Sequence, residues 1–96
     1  MSEGVYTNEA IHYLKVDPIF FKAIQEGKKH FELRKNDRNF KVNDYVILQE
    51  FNEKLTGWSI AAQINFILED YAGLEEGYVI LNLNDVKEKI YGFGSI

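Results

Sequence analysis

Short β-type runs recur along most of this chain, whereas only one segment carries the signals of a helix. Polar and apolar residues alternate over residues 12–16 and 30–34 with the period of two that is typical of half-buried strands. Runs over 44–51, 58–68 and 78–83 are rich in β-branched and aromatic residues and predict three more strands. Five strands with no repeated strand–helix–strand unit indicate an α+β, mainly β protein with a small, partly closed β-barrel or strongly curved sheet.

The predicted helix is marked at both ends. Asp17 is a favourable N-cap, and Pro18 follows at the first helical position, where its missing N–H needs no partner. Gly27 supplies the left-handed residue that commonly ends a helix. These signals predict one main helix over residues 18–26, packed at the side of the barrel.

The length of 96 residues suits a single domain, and 46% hydrophobic residues suffice for its core. We predict a flexible N-terminal leader at 1–10, one domain at 11–85, and a C-terminal extension at 86–96 that is either a short helix or a loose tail. The leader lacks the apolar segment of a signal peptide, and no apolar run approaches the roughly 20 residues of a membrane span. A cytoplasmic protein with no membrane partner is therefore expected.

The composition disfavours several kinds of chemistry. The chain has no cysteine, which excludes disulfides, thiolate nucleophiles and cysteine-ligated zinc. Its two histidines, His12 and His30, lack the spacing of paired metal ligands, so we expect neither a metal site nor a cofactor. His12 begins a predicted strand and is interpreted as structural, whereas His30 lies in a basic segment.

The charge of the chain is unevenly distributed. Residues 28–41 hold six basic and two acidic side chains, a net charge of +4, although the whole chain carries −4. A basic stripe on an acidic body suits one anionic ligand bound at one place. The alternative explanation of the same pattern is a set of lysines that protects a strand edge from aggregation.

Within the basic segment, alternation separates two faces of one predicted strand. Phe31 and Leu33 share one face, and His30, Glu32 and Arg34 form a polar ladder on the other. The polar ladder is therefore the candidate for ligand contacts. Five phenylalanines are predicted to lie in the core, namely Phe20, Phe21, Phe31, Phe51 and Phe66.

The segment from Gly27 to Arg34 resembles the Gly-x-Lys-x-x-Glu-x-Arg signature of ASCH domains, which belong to the PUA-like superfamily of small RNA-associated β-barrels. Residues 35–44, 56–57 and 73–80 are similar to a phage and bacterial ASCH-related subfamily of unknown function. The resemblance spans residues 12–83, where short motifs and element order agree.

The resemblance implies a PUA-like barrel with a cleft between the helix and the sheet, in which Lys29, Glu32 and Arg34 meet. Two departures from the family pattern bear on function. Members of the subfamily often have arginine after Thr-Gly, where this chain has Trp58. The ASCH branch that deacetylates acetylated cytidine has a threonine nucleophile three positions after its lysine, where this chain has Glu32. That branch also draws a second acidic residue from a longer insertion, and this chain is too short there to map it.

Two functions are compatible with these residues. The first is a binding module for RNA or a nucleotide-like small molecule, in which His30 or Trp58 stacks on a base, and the absent threonine favours it. The second is a hydrolase of modified nucleosides with Lys29 and Glu32 catalytic and Glu32 as the general base. A purely structural ion pair of Glu32 with Arg34 is a third outcome, and the oligomeric state is left open. The predicted ligand-binding residues are Lys28, Lys29, His30, Glu32, Arg34, Lys35, Arg38 and Trp58.

Overall fold

The structure, a computed structural model, describes residues 9–87, with side chains described as far as Asn84. Within this range the elements are β1 (Ile11–Val16), α1 (Pro18–Gln25), β2 (Phe31–Lys35), β3 (Tyr45–Phe51), β4 (Leu55–Leu68) and β5 (Tyr78–Lys87). The five predicted strands and the predicted helix are confirmed. Two strands are longer than predicted, since β4 begins at residue 55 and β5 continues to residue 87. Residues 1–8 of the predicted leader and 88–96 of the predicted extension lie outside the described residues.

The strands form one mixed sheet in the order β1-β3-β4-β5-β2. β1 pairs in parallel with β3, whereas every other pair is antiparallel. Irregular register within the β3–β4 and β4–β5 pairs bends the long strand β4, because a bulge increases local twist. The sheet therefore curves into a half-barrel, with β1 and β2 as its two edges.

The helix α1 fills the concave side of this half-barrel. Phe21 and Ile24 are its buried residues and join the core formed by alternate residues of the strands. Asp17 occupies the N-cap position, and its carbonyl accepts from the backbone amides of Phe20 and Phe21. Gly27 has a φ of +73°, the left-handed conformation predicted for the end of the helix. The turn at Gly27 then directs the chain into β2.

A buried polar cluster is centred on Asp44. Its Oδ2 lies 2.8 Å from Nε2 of His12 and accepts from the Lys41 amide, while Oδ1 accepts from the Ala10 amide. The edge of the His12 ring also meets the Phe40 ring, with centroids 4.7 Å apart. Burial acts to raise the pKa of Asp44, but the hydrogen bonds from His12, Ala10 and Lys41 and the charge of His12 leave that pKa lowered. The cluster joins the start of β1 to the start of β3.

The prediction that all five phenylalanines lie in the core is wrong for three of them. Phe21 is buried and Phe51 is half-buried, but Phe20, Phe31 and Phe66 are 48%, 46% and 58% exposed. The concave side of a half-barrel is small, and one side of every strand faces outward. Phe31 and Phe66 therefore remain on the outer face of the sheet, whereas Phe20 lies on α1.

Within residues 9–87, no helix has the length and apolar character needed to cross a membrane. The same part of the chain holds no group of three or more histidine, aspartate or glutamate side chains placed to bind a metal ion.

Candidate functional site

Two charged residues of β2, Glu32 and Arg34, face the inside of the half-barrel, whereas Lys35 faces outward and is exposed. Glu32 and Arg34 lie opposite Leu81 and Val79 of β5, whose side chains belong to the core. Of the predicted polar ladder, Glu32 and Arg34 share one face, which is the inward face, whereas His30 precedes β2 and is exposed. The apolar residues of β2 point outward. Inward charges are tolerated here because each of them has a partner of opposite charge or a backbone acceptor.

Glu32 is held by two cations. Its side chain is only 6% exposed, with Nζ of Lys29 at 2.7 Å from Oε2 and Nε of Arg34 at 3.2 Å from Oε1. Lys29 reaches this position because its backbone amide, just after the Gly27 turn, donates to the carbonyl of Ala23 in α1. The group of one carboxylate and two cations carries a net charge of +1, and both carboxylate oxygens are occupied. This ion triad is the centre of the candidate site.

Two arginines connect the edges of the half-barrel. Arg34 donates through Nη2 to the carbonyl of Lys15, and Arg38 donates through Nη1 to the carbonyl of Tyr13. Successive backbone carbonyls along a strand point to opposite sides. The carbonyl of Ala10 accepts from the Tyr45 amide of β3, so the carbonyls of residues 13 and 15 face the free edge of β1. The predicted ligand residue Arg38 thus has a backbone partner.

Replacing Arg38 by methionine is expected to lower the free energy of unfolding by about 0.5–1.5 kcal/mol, because one carbonyl on the edge of β1 loses its donor. Methionine keeps much of the apolar stem, so packing changes little. Urea denaturation measures the effect, and Lys41→Met, which replaces a cation by methionine at an exposed position, is the control. Equal stability of the Arg38 variant and wild type would show that the contact with Tyr13 contributes nothing.

Two cavities lie along the free edge of β2, and together they form the β2 cleft. The first, of about 320 Å³, is lined by Lys15, Val16, Asp17, Phe20, Glu32, Leu33, Arg34, Lys35 and Tyr78. The second, of about 470 Å³, is lined by Phe20, Lys28, Lys29, Phe31, Glu32 and Leu33. Glu32, Phe20 and Leu33 line both cavities, so the cavities adjoin at the ion triad.

Aromatic rings flank the ammonium group of the triad. Nζ of Lys29 lies 4.8 Å from the ring centroid of Phe31 and 5.7 Å from that of Phe20. These distances are in the range of cation–π attraction. Because both rings are about half exposed, each also presents apolar surface to the β2 cleft. The cleft combines a cationic floor with aromatic walls.

The remaining predicted ligand residues are divided between the cleft and other places. Lys28 lines the larger cavity and also contacts Glu26 at 3.1 Å, while Lys35 lines the smaller one. His30 is exposed and its Nε2 contacts the carbonyl of Gly27, outside the lining of either cavity. Trp58 lines a separate cavity of about 240 Å³ with Gln49, Leu55, Gly57 and Ser59. The structure thus brings neither His30 nor Trp58 to the triad.

Sequence reasoning missed the aromatic walls of the cleft. Phe20 was assigned to the core, yet it adjoins Phe21 on a helix of eight residues, and neighbours on a helix point in directions about 100° apart. Only one of the pair packs deeply in the core, and Phe20 is the one left at the cleft. Phe31 was missed because its strand turns the charged face inward.

The half-barrel with its side helix has an ASCH-like fold. The structure is similar to the crystal structure of ASCH from Zymomonas mobilis, with a TM-score of 0.62 and 18% sequence identity. The similarity covers 80% of this chain and 68% of that one. At this identity the comparison establishes the fold.

The sequence family is narrower than the fold. Residues 11–83 match the model of DUF3850, a domain of unknown function, and the chain belongs to that family. It is 37% identical over 73 residues to an uncharacterised 12.9 kDa protein in the GpA 3′ region of Escherichia phage P2. The match covers 75% of this chain and 66% of the phage protein, so a third of that protein has no counterpart in the match.

Proposed function

We propose that this chain is a binding module for RNA or a nucleotide-like small molecule, and that the ligand occupies the β2 cleft. The observation that carries the proposal is the buried ion triad with half-exposed phenyl rings beside it. Aromatic faces accept a stacked base, and cations accept the anionic backbone of a nucleic acid. Both kinds of contact are available within the same cleft.

The arrangement of lysines supports an elongated anionic ligand. Lys28 lines one cavity and Lys35 lines the other, so the two ammonium groups flank the triad. The Lys28 side chain is 74% exposed, and its ion pair with Glu26 is open to solvent. Such surface ion pairs contribute little to stability. Elsewhere the chain is acidic, which disfavours binding of a polyanion away from the cleft.

The geometry favours binding over hydrolysis. A general base needs a carboxylate oxygen with an acceptor site open to water, whereas each oxygen of Glu32 already uses one of its two acceptor sites on a cation. The side chain is also 6% exposed, which restricts the approach of water. Glu32 is accordingly placed to orient Lys29 and Arg34 towards a ligand.

The proposal is tested with a fluorescein-labelled single-stranded RNA of about eight nucleotides. Phe20→Ala should weaken binding by roughly 5- to 150-fold, because one stacking surface is worth about 1–3 kcal/mol per base. The matched control is Ile19→Ala, since Ile19 is the neighbouring helix residue, is 73% exposed and lines neither cavity. Fluorescence anisotropy gives both affinities.

Salt dependence separates a phosphate contact from other modes of binding. If three or four phosphates meet the basic side chains, affinity should fall about 20- to 50-fold between 50 and 200 mM salt. Lys28→Gln and Lys35→Gln should each reduce the slope of log affinity against log salt concentration by about 0.7, the value for one phosphate contact with a single strand. Binding that ignores salt, or that survives Phe20→Ala unchanged, would refute the assignment of the ligand to the β2 cleft.

A further inference from the structure

An apolar patch covers the outer face of β2, β5 and β4. Register pairing places two rows of outward side chains across these three strands. The rows are Phe31, Asn82 and Phe66, then Leu33, Ile80 and Leu68. Because paired strands are about 4.8 Å apart, each row is continuous across the sheet. We refer to these six residues as the outer patch.

The outer patch is both large and accessible. Phe31, Leu33 and Phe66 are 46%, 55% and 58% exposed, which amounts to an area on the order of 300 Å² for these three side chains. The polar member, Asn82, donates through Nδ2 to Oδ1 of Asn65 at 2.7 Å, so its amide already has a partner. Within residues 9–87 the helix packs on the opposite, concave side. An apolar patch of this size matches the largest patch of a typical monomeric protein, and such patches are often functional.

Charges differ at the two ends of the patch. The turn between β4 and β5 adjoins the Leu33 row and exposes four carboxylates, those of Glu69, Asp70, Glu75 and Glu76. At the opposite end, β2 begins next to the exposed Lys28, which lines a cavity together with Phe31 and Leu33. Lys35, the last residue of β2, also points outward at the acidic end, where the four carboxylates outnumber it. The patch therefore has a net acidic end at the turn and a basic end at the start of β2.

We propose that the outer patch is the interface of a homodimer, with two copies packed face to face about a twofold axis perpendicular to the strands. This axis makes the facing strands antiparallel, so the Lys28 end of one copy meets the acidic turn of the other. A twofold axis parallel to the strands would instead oppose two acidic turns, which is unfavourable. Charge thus selects one of the two symmetric arrangements, and the same residues serve both copies.

Nucleic acid is a less suitable occupant of this face. Phenyl rings on a sheet can stack on bases, but the four carboxylates of residues 69–76 would repel phosphates at one end of the patch. The area of the patch is smaller than the roughly 800 Å² per partner of a standard stable interface, so we expect a dissociation constant of about 1–100 μM.

Sedimentation equilibrium of the wild type from about 5 to 500 μM should show a reversible monomer–dimer equilibrium. Phe66→Lys should weaken dimerisation at least about 30-fold, because the substitution places a charge within the apolar contact. Ile19→Lys introduces the same charge at an exposed helix position outside the patch and should leave dimerisation unchanged. Circular dichroism of each variant verifies that the fold is intact.

A charge exchange tests the orientation of the two copies. Lys28→Glu alone and Glu75→Lys with Glu76→Lys should each weaken the dimer about three- to tenfold, and combining the three substitutions should restore most of the affinity. A wild type that is monomeric over the whole range, or a dimer unaffected by Phe66→Lys, would overturn the proposal. If Phe66→Lys lowered the RNA affinity but left the molar mass measured by sedimentation unchanged, the patch would be assigned to RNA and the dimer proposal would also be overturned.

The dimer and the ligand site are separable in these experiments. Phe31 and Leu33 belong to both the outer patch and the β2 cleft, whereas Phe66 lines neither cavity of the cleft. Phe66→Lys should therefore keep RNA affinity within about twofold of wild type at concentrations where the protein is monomeric.

Discussion

Replacing Asp44 by asparagine is expected to lower the free energy of unfolding by about 2–4 kcal/mol, the largest effect of any single substitution considered. Asp44 is 2% exposed and accepts hydrogen bonds from His12 and from the amides of Ala10 and Lys41. Asparagine keeps the shape of the side chain but has one acceptor oxygen instead of two. If its NH₂ group takes the place of Oδ2, that group faces the Lys41 amide, so two donors oppose each other at a part-buried site.

The same carboxylate gives a defined dependence on pH. The pKa of Asp44 in the folded protein is below its ordinary value of 3.8, so the ionised form stabilises the fold. The contribution of the ionised carboxylate to stability is fully present above the pKa that Asp44 has in the unfolded chain. It is lost as the pH falls through the lower pKa that Asp44 has in the folded protein. The stability difference between the wild type and Asp44→Asn should therefore shrink below about pH 3.8.

Urea denaturation at neutral and acidic pH measures both effects. Asp37→Asn is the matched control, because the Asp37 side chain is 65% exposed and its ion pair with Arg38 is long, at 3.8 Å. This control should change stability by less than about 0.5 kcal/mol. A cost for Asp44→Asn as small as that of the control would show that the buried cluster does not stabilise the fold.

Replacing Glu32 by glutamine should lower stability by about 1–3 kcal/mol and weaken RNA binding about tenfold. The neutral side chain leaves two cations, Lys29 and Arg34, without a counter-charge at a site where their side chains are only 15% and 25% exposed. One amide oxygen can accept from one of them, and the NH₂ group is turned towards the other. The loss therefore arises from the triad and not from a proton-transfer step.

An enzyme would respond to the same substitution differently. A general base replaced by glutamine keeps ligand affinity and loses turnover by about 100-fold or more. We expect no turnover of acetylated cytidine or related modified nucleosides by the wild type, and a parallel loss of affinity and stability in Glu32→Gln. Wild-type turnover that disappears in a variant with intact binding would make the chain a hydrolase and overturn the binding proposal.

A second carboxylate provides the control for this substitution. Glu50 is half-buried, and its Oε1 accepts from the hydroxyl of Thr56 at 2.8 Å. Glutamine retains an acceptor oxygen for that neutral donor, so Glu50→Gln should stay within about 0.5 kcal/mol of wild type. The difference between the two variants isolates the effect of the paired cations.

Much of the local structure follows from neighbouring residues and was predictable. The period of two identified the strands because alternate side chains of a strand point to opposite faces. Asp17, Pro18 and Gly27 identified the helix because they satisfy local requirements of helix ends, and their roles do not depend on distant contacts. The signature residues Lys29, Glu32 and Arg34 were identified by their spacing and by the family resemblance, and the structure brings them together.

Contacts between distant segments were decided by the tertiary structure. Alternation separates the two faces of β2, but it does not say which face points inward, because that depends on the partners each face meets. Here the charged face turns inward, since Glu32 is neutralised by two cations and Arg34 reaches a carbonyl of β1. Phe31 is consequently placed at the cleft and on the outer face instead of in the core.

Contacts between segments that are distant in sequence also account for the residues whose partners were not predicted. Arg38 contacts the backbone of Tyr13, 25 residues earlier, and Asp44 contacts His12, 32 residues earlier. These pairs exist only because β1 pairs in parallel with β3 and β2 closes the far edge of the sheet. Local sequence determined the strands, the helix and the signature, whereas the pairing of strands distant in sequence decided which charges are buried, which rings are exposed and where the cleft lies.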